Sequence, residues 1–310
     1  MTTTFSKRDA IAQAALYGLD TRFLTAFNAA TADLGFIGQI GIDEPTDLIK
    51  KTYVIPQDAL GFRKLAGDPH FVGSSEKSVS VYTETWQEGV EEIAKLVAQP
   101  DFSGWDRKPA QLASLASRLP REVLATAIEA NATGWDGVAF FHASHPVNVF
   151  ASSKGTYKNL HTSKALTKAN LEYGFGQVRG LKDTNGKNLG LVPTHIIVPN
   201  ELAETAMMLV KDSYVVDATS GTNLVMPNRN AGRVGIVVLP ELTVTDTWYL
   251  AVAGQAGLEP WVVMHQPQPE RKILDMSSDL YKLKGKLAVS FELEVGAALL
   301  FPHTLHKFTA

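Results

Sequence analysis

Residues 118–147 read RLPREVLATAIEANATGWDGVAFFHASHPV and join a helical pattern to an abrupt aromatic turn. Leu119, Val123, Ala127 and Asn131 recur every four residues, with Leu112, Leu115, Leu124 and Ile128 beside them, and this spacing predicts one buried helical face. The pattern stops at Gly134. Trp135, Asp136 and Gly137 then carry a turn signal, Phe140 and Phe141 supply a large apolar anchor, and His145 is pushed towards extended backbone by Pro146. The expectation is a helix feeding a packed corner, with Trp135, Phe140, Phe141, His145 and Pro146 as its structural residues.

Towards the N-terminus, Ser6 to about Asp33 reads as a helical arm through Ile11, Ala15, Leu19, Phe23 and Phe27. From Gly35 to Thr52 the pattern loosens, and GFIGQIGIDEP suits a connecting arm with freedom to move. TYVIP and SVSVYTETW then alternate with period two around the polar, glycine-rich GFRKLAGDPHFVGSSEK. A tip of that length predicts a projecting hairpin over residues 53–98, because tight hairpin turns are far shorter. Its apolar residues Phe62, Phe71 and Trp86 require a covering surface. Trp105 and Asp106 open the long helix, and Pro120 inside it predicts a bend near Leu119.

Towards the C-terminus a polar loop, 150–162, precedes a helical pattern over 163–178 and a strong turn at Asp183–Gly186. THIIVP reads as a buried strand, followed by Asn200 as N-cap of a helix that turns Leu202, Ala206 and Leu209 inward. RVGIVVLPEL, TWYLAVAG and EPWVVMHQ give three short apolar strands, and Leu280–Phe308 alternates as strand to the end. The fold class is therefore α+β with mixed sheets.

Of 310 residues, 45% are hydrophobic and 20% charged, an ordinary balance for a chain with a sizeable core. A net charge of -3 with no basic run argues against a protein whose main task is gripping nucleic acid. With no cysteine, disulfides, thiolate zinc sites and cysteine nucleophiles are excluded. No window approaches a membrane span, and the first residues lack a signal-peptide core, so no membrane association is expected and the chain is placed in a cytoplasm.

His142 and His145 are the first candidates for metal or acid–base chemistry. Their i, i+3 spacing falls in a turn and lacks the HExxH pattern, so a structural role at the corner is expected, as for His303 and His306. GFGQVRG at 174–180 departs from the dinucleotide fingerprint in spacing and follows a helical pattern instead of a strand, which leaves its glycines a turn role. No GxSxG elbow frames a serine. No catalytic, cofactor-binding or metal residue is expected. An arm, a protruding hairpin and a long helix suit contacts with copies of the same chain.

An ordered series carries a family resemblance: LPREVLA at 119–125, WDGVAFFHASHPV at 135–147, DTNGKNLGLVPTHIIVP at 183–199, VVLPEL at 237–242 and TWYL at 247–250. Together these resemble the major head subunit of Mu-like bacteriophages, over roughly residues 118–279. The resemblance implies the Hong Kong 97-like tailed-phage capsid fold. On that fold residues 1–52 are the N-terminal arm and 53–98 the extended hairpin loop. A peripheral domain takes 99–179 and 266–310, with a spine helix at 106–131, and an axial domain takes 180–265. The terminal strands return to complete the peripheral sheet. The implied function is structural: a major capsid protein that assembles with itself into hexamers and pentamers and closes an icosahedral head around double-stranded DNA, which it contacts non-specifically. Scaffold, portal and decoration proteins are the implied further partners, assembly takes place in the host bacterial cytoplasm, and no cofactor is needed. Two rivals stand beside this reading: an encapsulin-like shell around enzyme cargo, and a metal-dependent enzyme built on His142 and His145.

Overall fold

The structure is a computed structural model and describes residues 7–30, 34–57, 75–97, 104–217, 224–255 and 257–310. The chain opens with helix α1 (Lys7–Ala30), short helix α2 (Gly35–Ile40) and strands β1 (Ile42–Pro45), β2 (Lys50–Pro56), β3 (Glu76–Tyr82) and β4 (Glu84–Ile93). A short helix α3 (Ala94–Val97) leads to α4 (Gly104–Ala130), the longest helix described. Strands β5 (His145–Pro146), β6 (Thr156–Tyr157) and β7 (Leu160–His161) follow, then helix α5 (Lys168–Arg179). Strand β8 (His195–Val198), helix α6 (Ala203–Val210) and strands β9 (Tyr214–Asp217), β10 (Leu224–Pro227), β11 (Gly235–Val238) and β12 (Thr247–Ala251) come next. The chain closes through β13 (Trp261–His265), β14 (Glu270–Leu274), α7 (Asp279–Lys284), β15 (Lys286–Leu299) and β16 (Leu305–Thr309).

Two five-stranded sheets carry the body. In the first, β15 is the spine: β4 pairs along one edge from Glu84↔Val295 to Ile93↔Lys286, while β14 and β13 share the other and β1 lies parallel beyond β13. Period-two alternation places Leu287, Val289, Phe291, Leu293 and Val295 on one buried face. Helices α1 and α4 cover it, with Phe23 stacked on Phe291 at 3.7 Å between ring centroids. The second sheet runs β11-β8-β12-β16-β7. Its central strand β12 is buried at every position: Trp248 and Leu250 face α5 and α6, while Tyr249 and Ala251 face the core shared with α4.

Several expectations need correction. The segment after Gly35 is not a loose connector: Ile37 and Ile40 are buried, Trp261 Nε1 donates to the Ile37 carbonyl, and β1 is a member of the first sheet. Gly41 permits this, since a Cβ there would collide with the Trp261 ring. Strand β4 is likewise no part of a projecting hairpin. It pairs over ten residues with β15, so Trp86 sits in the main sheet. The hairpin proper is β2 with β3, and Ile55 and Val81 seat it on Val262, Met264 and Leu300. Phe62 and Phe71 lie outside the described residues.

The C-terminal strand also moves. Residues 305–309 pair antiparallel with β12 in the second sheet, whereas residues 261–265 belong to the first. Asn200 caps nothing with its side chain; Pro199 is the N-cap residue of a 3-10 turn, Asn200–Leu202, that runs into α6. Gly174 is a packing glycine, because a Cβ there would press on Leu250 and Phe308 from the helix covering β12.

Candidate structural corner and assembly surfaces

Helix α4 runs through Pro109 and Pro120 without a break. Its buried line is Pro109, Ala113, Ser117, Pro120, Leu124 and Ile128, at intervals of three and four. In the first half this line consists of small residues, which let α1 approach closely. The leucines expected from spacing flank it, and Leu115 is 49% exposed.

Asn131 ends the helix in the left-handed region, φ 47°, which asparagine tolerates. Its side chain then spans the corner: Oδ1 accepts from the Phe141 amide at 2.6 Å and Nδ2 donates to the Phe141 carbonyl at 3.2 Å. Within the loop so closed, Gly137 supplies a positive φ and Trp135 Nε1 donates to the Leu300 carbonyl at 2.8 Å. Phe140 and Phe141 meet edge to face at 5.0 Å, both buried, and Phe141 continues to Tyr249 of the second sheet. The five corner residues thus come together around one loop, with Pro146 paired to Thr156 as its exit.

His145 is fully buried. Its Nδ1 lies 2.5 Å from Asp136 Oδ2, and its Nε2 lies 3.0 Å from Asn159 Oδ1, so each ring nitrogen has an oxygen acceptor. Asn159 ties three segments: Nδ2 donates to the Phe140, Pro302 and Leu305 carbonyls, and Oδ1 accepts from the His142 amide. Sequence reasoning misses it, since a position fourteen residues after His145 in a polar run gives no periodic signal. Asp136 shows in the sequence only as part of a turn.

Around this pair the rings form a layer. Tyr157 stacks between His145 at 5.1 Å and His303 at 4.0 Å, and Tyr157 Oη lies 3.3 Å from His303 Nδ1. His161 Nε2 and His306 Nδ1 meet at 3.2 Å. Burial disfavours the charged imidazole and pushes His303 and His306 down to about 3 and His161 to about 4. His306 Nε2 is buried without a partner. His161 and His306 are also shut off from solvent, which makes them poor acid–base groups for a substrate, while His303 is half-buried and lines an open cleft with Gln57 and Lys182. Among the described residues no three histidine, aspartate or glutamate side chains group to hold a metal ion. His142 meets His145 edge to face, with 5.9 Å between ring centroids, and accepts from the Ser144 amide with its own Nδ1.

Among the described residues, apolar side chains face outward on the hairpin and beside the long helix. The β2–β3 ladder exposes Val54 and Tyr82 on the face opposite Ile55 and Val81. Trp86, 43% exposed, lines a groove of about 250 Å³ with Leu112, Leu115, Leu119, Phe291 and Leu293, between α4 and the β4–β15 edge; Glu88 and Glu122 stand among its lining residues.

A family model described as phage capsid protein matches residues 76–291, more than two thirds of the chain. The chain belongs to the phage capsid protein family. The match spans β3 to the middle of β15 and so takes in the long helix, the corner and most of both sheets. No curated protein matches the sequence. Among solved structures this capsid protein is similar to the capsid of an empty GTA particle (12% identity, 90% of each chain covered, TM-score 0.53). It is similar also to the capsid of the cyanophage P-SCSP1u (9% identity, 88% of this chain and 87% of that one, TM-score 0.55). An encapsulin, SrpI from Synechococcus elongatus PCC 7942, follows (10% identity, 88% and 86%, TM-score 0.50). These likenesses establish the Hong Kong 97-like capsid fold, and with the family they make the chain a capsid shell protein.

Proposed function

We propose that this capsid protein is the major head subunit of a tailed phage or prophage of Mu-like type, and that its activity is self-assembly into hexamers and pentamers that close around DNA in the host cytoplasm. The observation that carries this is a body tied rigidly together from which large apolar side chains still face outward: Trp86 over its groove, and Val54 and Tyr82 on the hairpin. A second copy is the occupant that the family membership favours, and many such contacts sum through multivalency where one alone is weak. The first sheet with α1 and α4 serves as the peripheral domain. The second sheet with α5 and α6, now including β16, serves as the axial one. No residue is assigned catalysis, and scaffold and portal proteins act in assembly.

Residues 58–74, which contain Phe62 and Phe71, are assigned the inter-subunit contact. Their deletion leaves Gln57 and Ser75 to close the ladder, so a soluble subunit that assembles poorly is expected on size-exclusion chromatography. Normal shells from that variant refute the role. The likeness to SrpI favours one rival, a shell around protein cargo. Nucleic acid recovered from nuclease-treated particles separates the two.

A further inference from the structure

Leu283 is 83% exposed, more than any other large hydrophobic side chain among the described residues. It stands in the last turn of α7 between Lys282 and Lys284, both exposed, and no other exposed large hydrophobic among the described residues has a cation on each side. The fold holds this knob at both ends. Ser278 Oγ accepts from the Tyr281 amide at the start of α7, and Tyr281 packs on the core that α1 and α4 share with β15. Gly285 ends the helix in the left-handed region, φ 63°, and its carbonyl accepts from Ala94 N at 3.0 Å. Lys282 has an exposed partner in Asp279 at 3.7 Å, a pair that holds it only weakly, and Lys286 takes the carboxylate of Glu91.

The groove beside Trp86 has the opposite character. Leu112, Leu115, Leu119 and Glu122 line it from α4 at intervals of three and four, and Trp86 and Glu88 line it from β4. Phe291 and Leu293 of its lining are buried, whereas Glu88 and Glu122 are exposed. Among the described residues the charged side chains of this lining are both acids, and neither forms an ion pair. An apolar groove edged by two carboxylates is the complement of a leucine between two lysines. Knob and groove lie towards opposite ends of the first sheet. Lys286, where α7 hands over to β15, pairs with Ile93, while Leu293 pairs with Trp86 seven residues, or about 24 Å, further along the strand. Leu283, exposed as it is, does not fill the groove of its own chain.

We propose that the α7 knob of one subunit seats Leu283 in the Trp86 groove of a second copy, with Lys282 and Lys284 against Glu88 and Glu122. An apolar centre inside a charged rim is the anatomy of a protein–protein contact, and opposite charges at that rim fix its register. Because knob and groove are different surfaces, the contact runs head to tail. Each subunit offers its knob to one neighbour and its groove to another, so the chain of contacts closes into a ring where the rotation between copies allows it. The inference rests on the reading that this protein assembles with itself, and it names the two segments that meet.

The chain has no cysteine, so any disulfide reports on the positions where cysteine is introduced. The double variant Leu115→Cys/Leu283→Cys is assembled, oxidised and run on a non-reducing gel. A ladder of covalent trimers and longer multimers is expected, since the contact brings residue 283 of one copy within the roughly 7 Å between Cα atoms that a disulfide spans from residue 115 of the next. Either single variant is expected to stop at the dimer. Lys282→Glu/Lys284→Glu is expected to raise the protein concentration needed for assembly by about tenfold or more, and adding Glu88→Lys/Glu122→Lys to the same chain to restore it. Where circular dichroism shows that charge reversal unfolds the chain, Leu283→Ser at the exposed tip carries the same expected rise. Particles that are intact by negative-stain microscopy but give no ladder overturn the knob-and-groove contact and leave self-assembly standing. So does a ladder obtained with Phe62→Cys in place of Leu283→Cys, since the hairpin tip is then the occupant. Protein that forms neither ring nor shell at any concentration overturns both readings.

Discussion

At the residue scale, the corner after α4 is held by a few side chains whose loss has distinct consequences. Phe141 is 1% exposed and bridges Phe140 and Tyr249, so Phe141→Ala opens a cavity between the long helix and the second sheet. A cost of about 3–5 kcal/mol is expected, read as a lower midpoint in urea unfolding. A near-zero change would mean that the corner does not hold the two sheets together.

The histidine layer makes a second prediction at this scale. His161, His303 and His306 stay neutral in the folded chain to well below 6.5, while the unfolded chain protonates them near that value. Below pH 6.5 the unfolded state therefore binds more protons. Stability is full above that pH and falls as the pH drops towards 4, by up to about 1.4 kcal/mol per pH unit for each imidazole. Burial disfavours the charged form of His265, but its bonds to Asp43 and the Gln266 carbonyl more than offset this, so it opposes the trend singly. Urea midpoints at pH 7.5 and 5.0 check the sign, and His306→Gln should flatten the dependence. Equal midpoints at the two pH values would show that the layer is not sealed.

At the element scale, the close approach of β3 to β15 fixes where the hairpin sits. A Cβ on Gly296 would lie 2.1 Å from the Tyr82 carbonyl oxygen, a backbone atom that cannot swing aside. Gly296→Ala is expected to displace the β2–β3 ladder and to raise amide exchange at Val81 and Ile55, while β12 keeps its protection. Unchanged exchange at Val81 would contradict the seating described.

Elements are legible in the sequence wherever the signal is local. The alternation of β15, the apolar runs of β8, β12 and β13, and the turn at Asp183–Gly186 all follow from neighbours in sequence. Partners distant in sequence are not legible. Nothing near Ile42 announces a parallel pairing with Val262, and nothing in LHKFT announces β12 rather than the first sheet. Spacing misplaces the buried line of α4 because Ala113 and Ser117 carry little hydrophobic weight beside Leu115, although α1 fits against the small residues. At the corner, Trp135, Phe140 and Phe141 stand out by size, but Asn159 and Asp136 act through hydrogen bonds whose partners only the fold brings near.

At the scale of the whole molecule, the two sheets meet through one core in which α4, the corner and β12 all take part. The exposed apolar groups on β2, β3 and β4 sit on one side of the long helix or along the hairpin.

The most direct test of that account is negative-stain electron microscopy of the purified protein at low and at high concentration. Closed shells or rings of five or six subunits are the predicted result. Protein that stays monomeric under both conditions, at concentrations where the folded state is confirmed by circular dichroism, would contradict it.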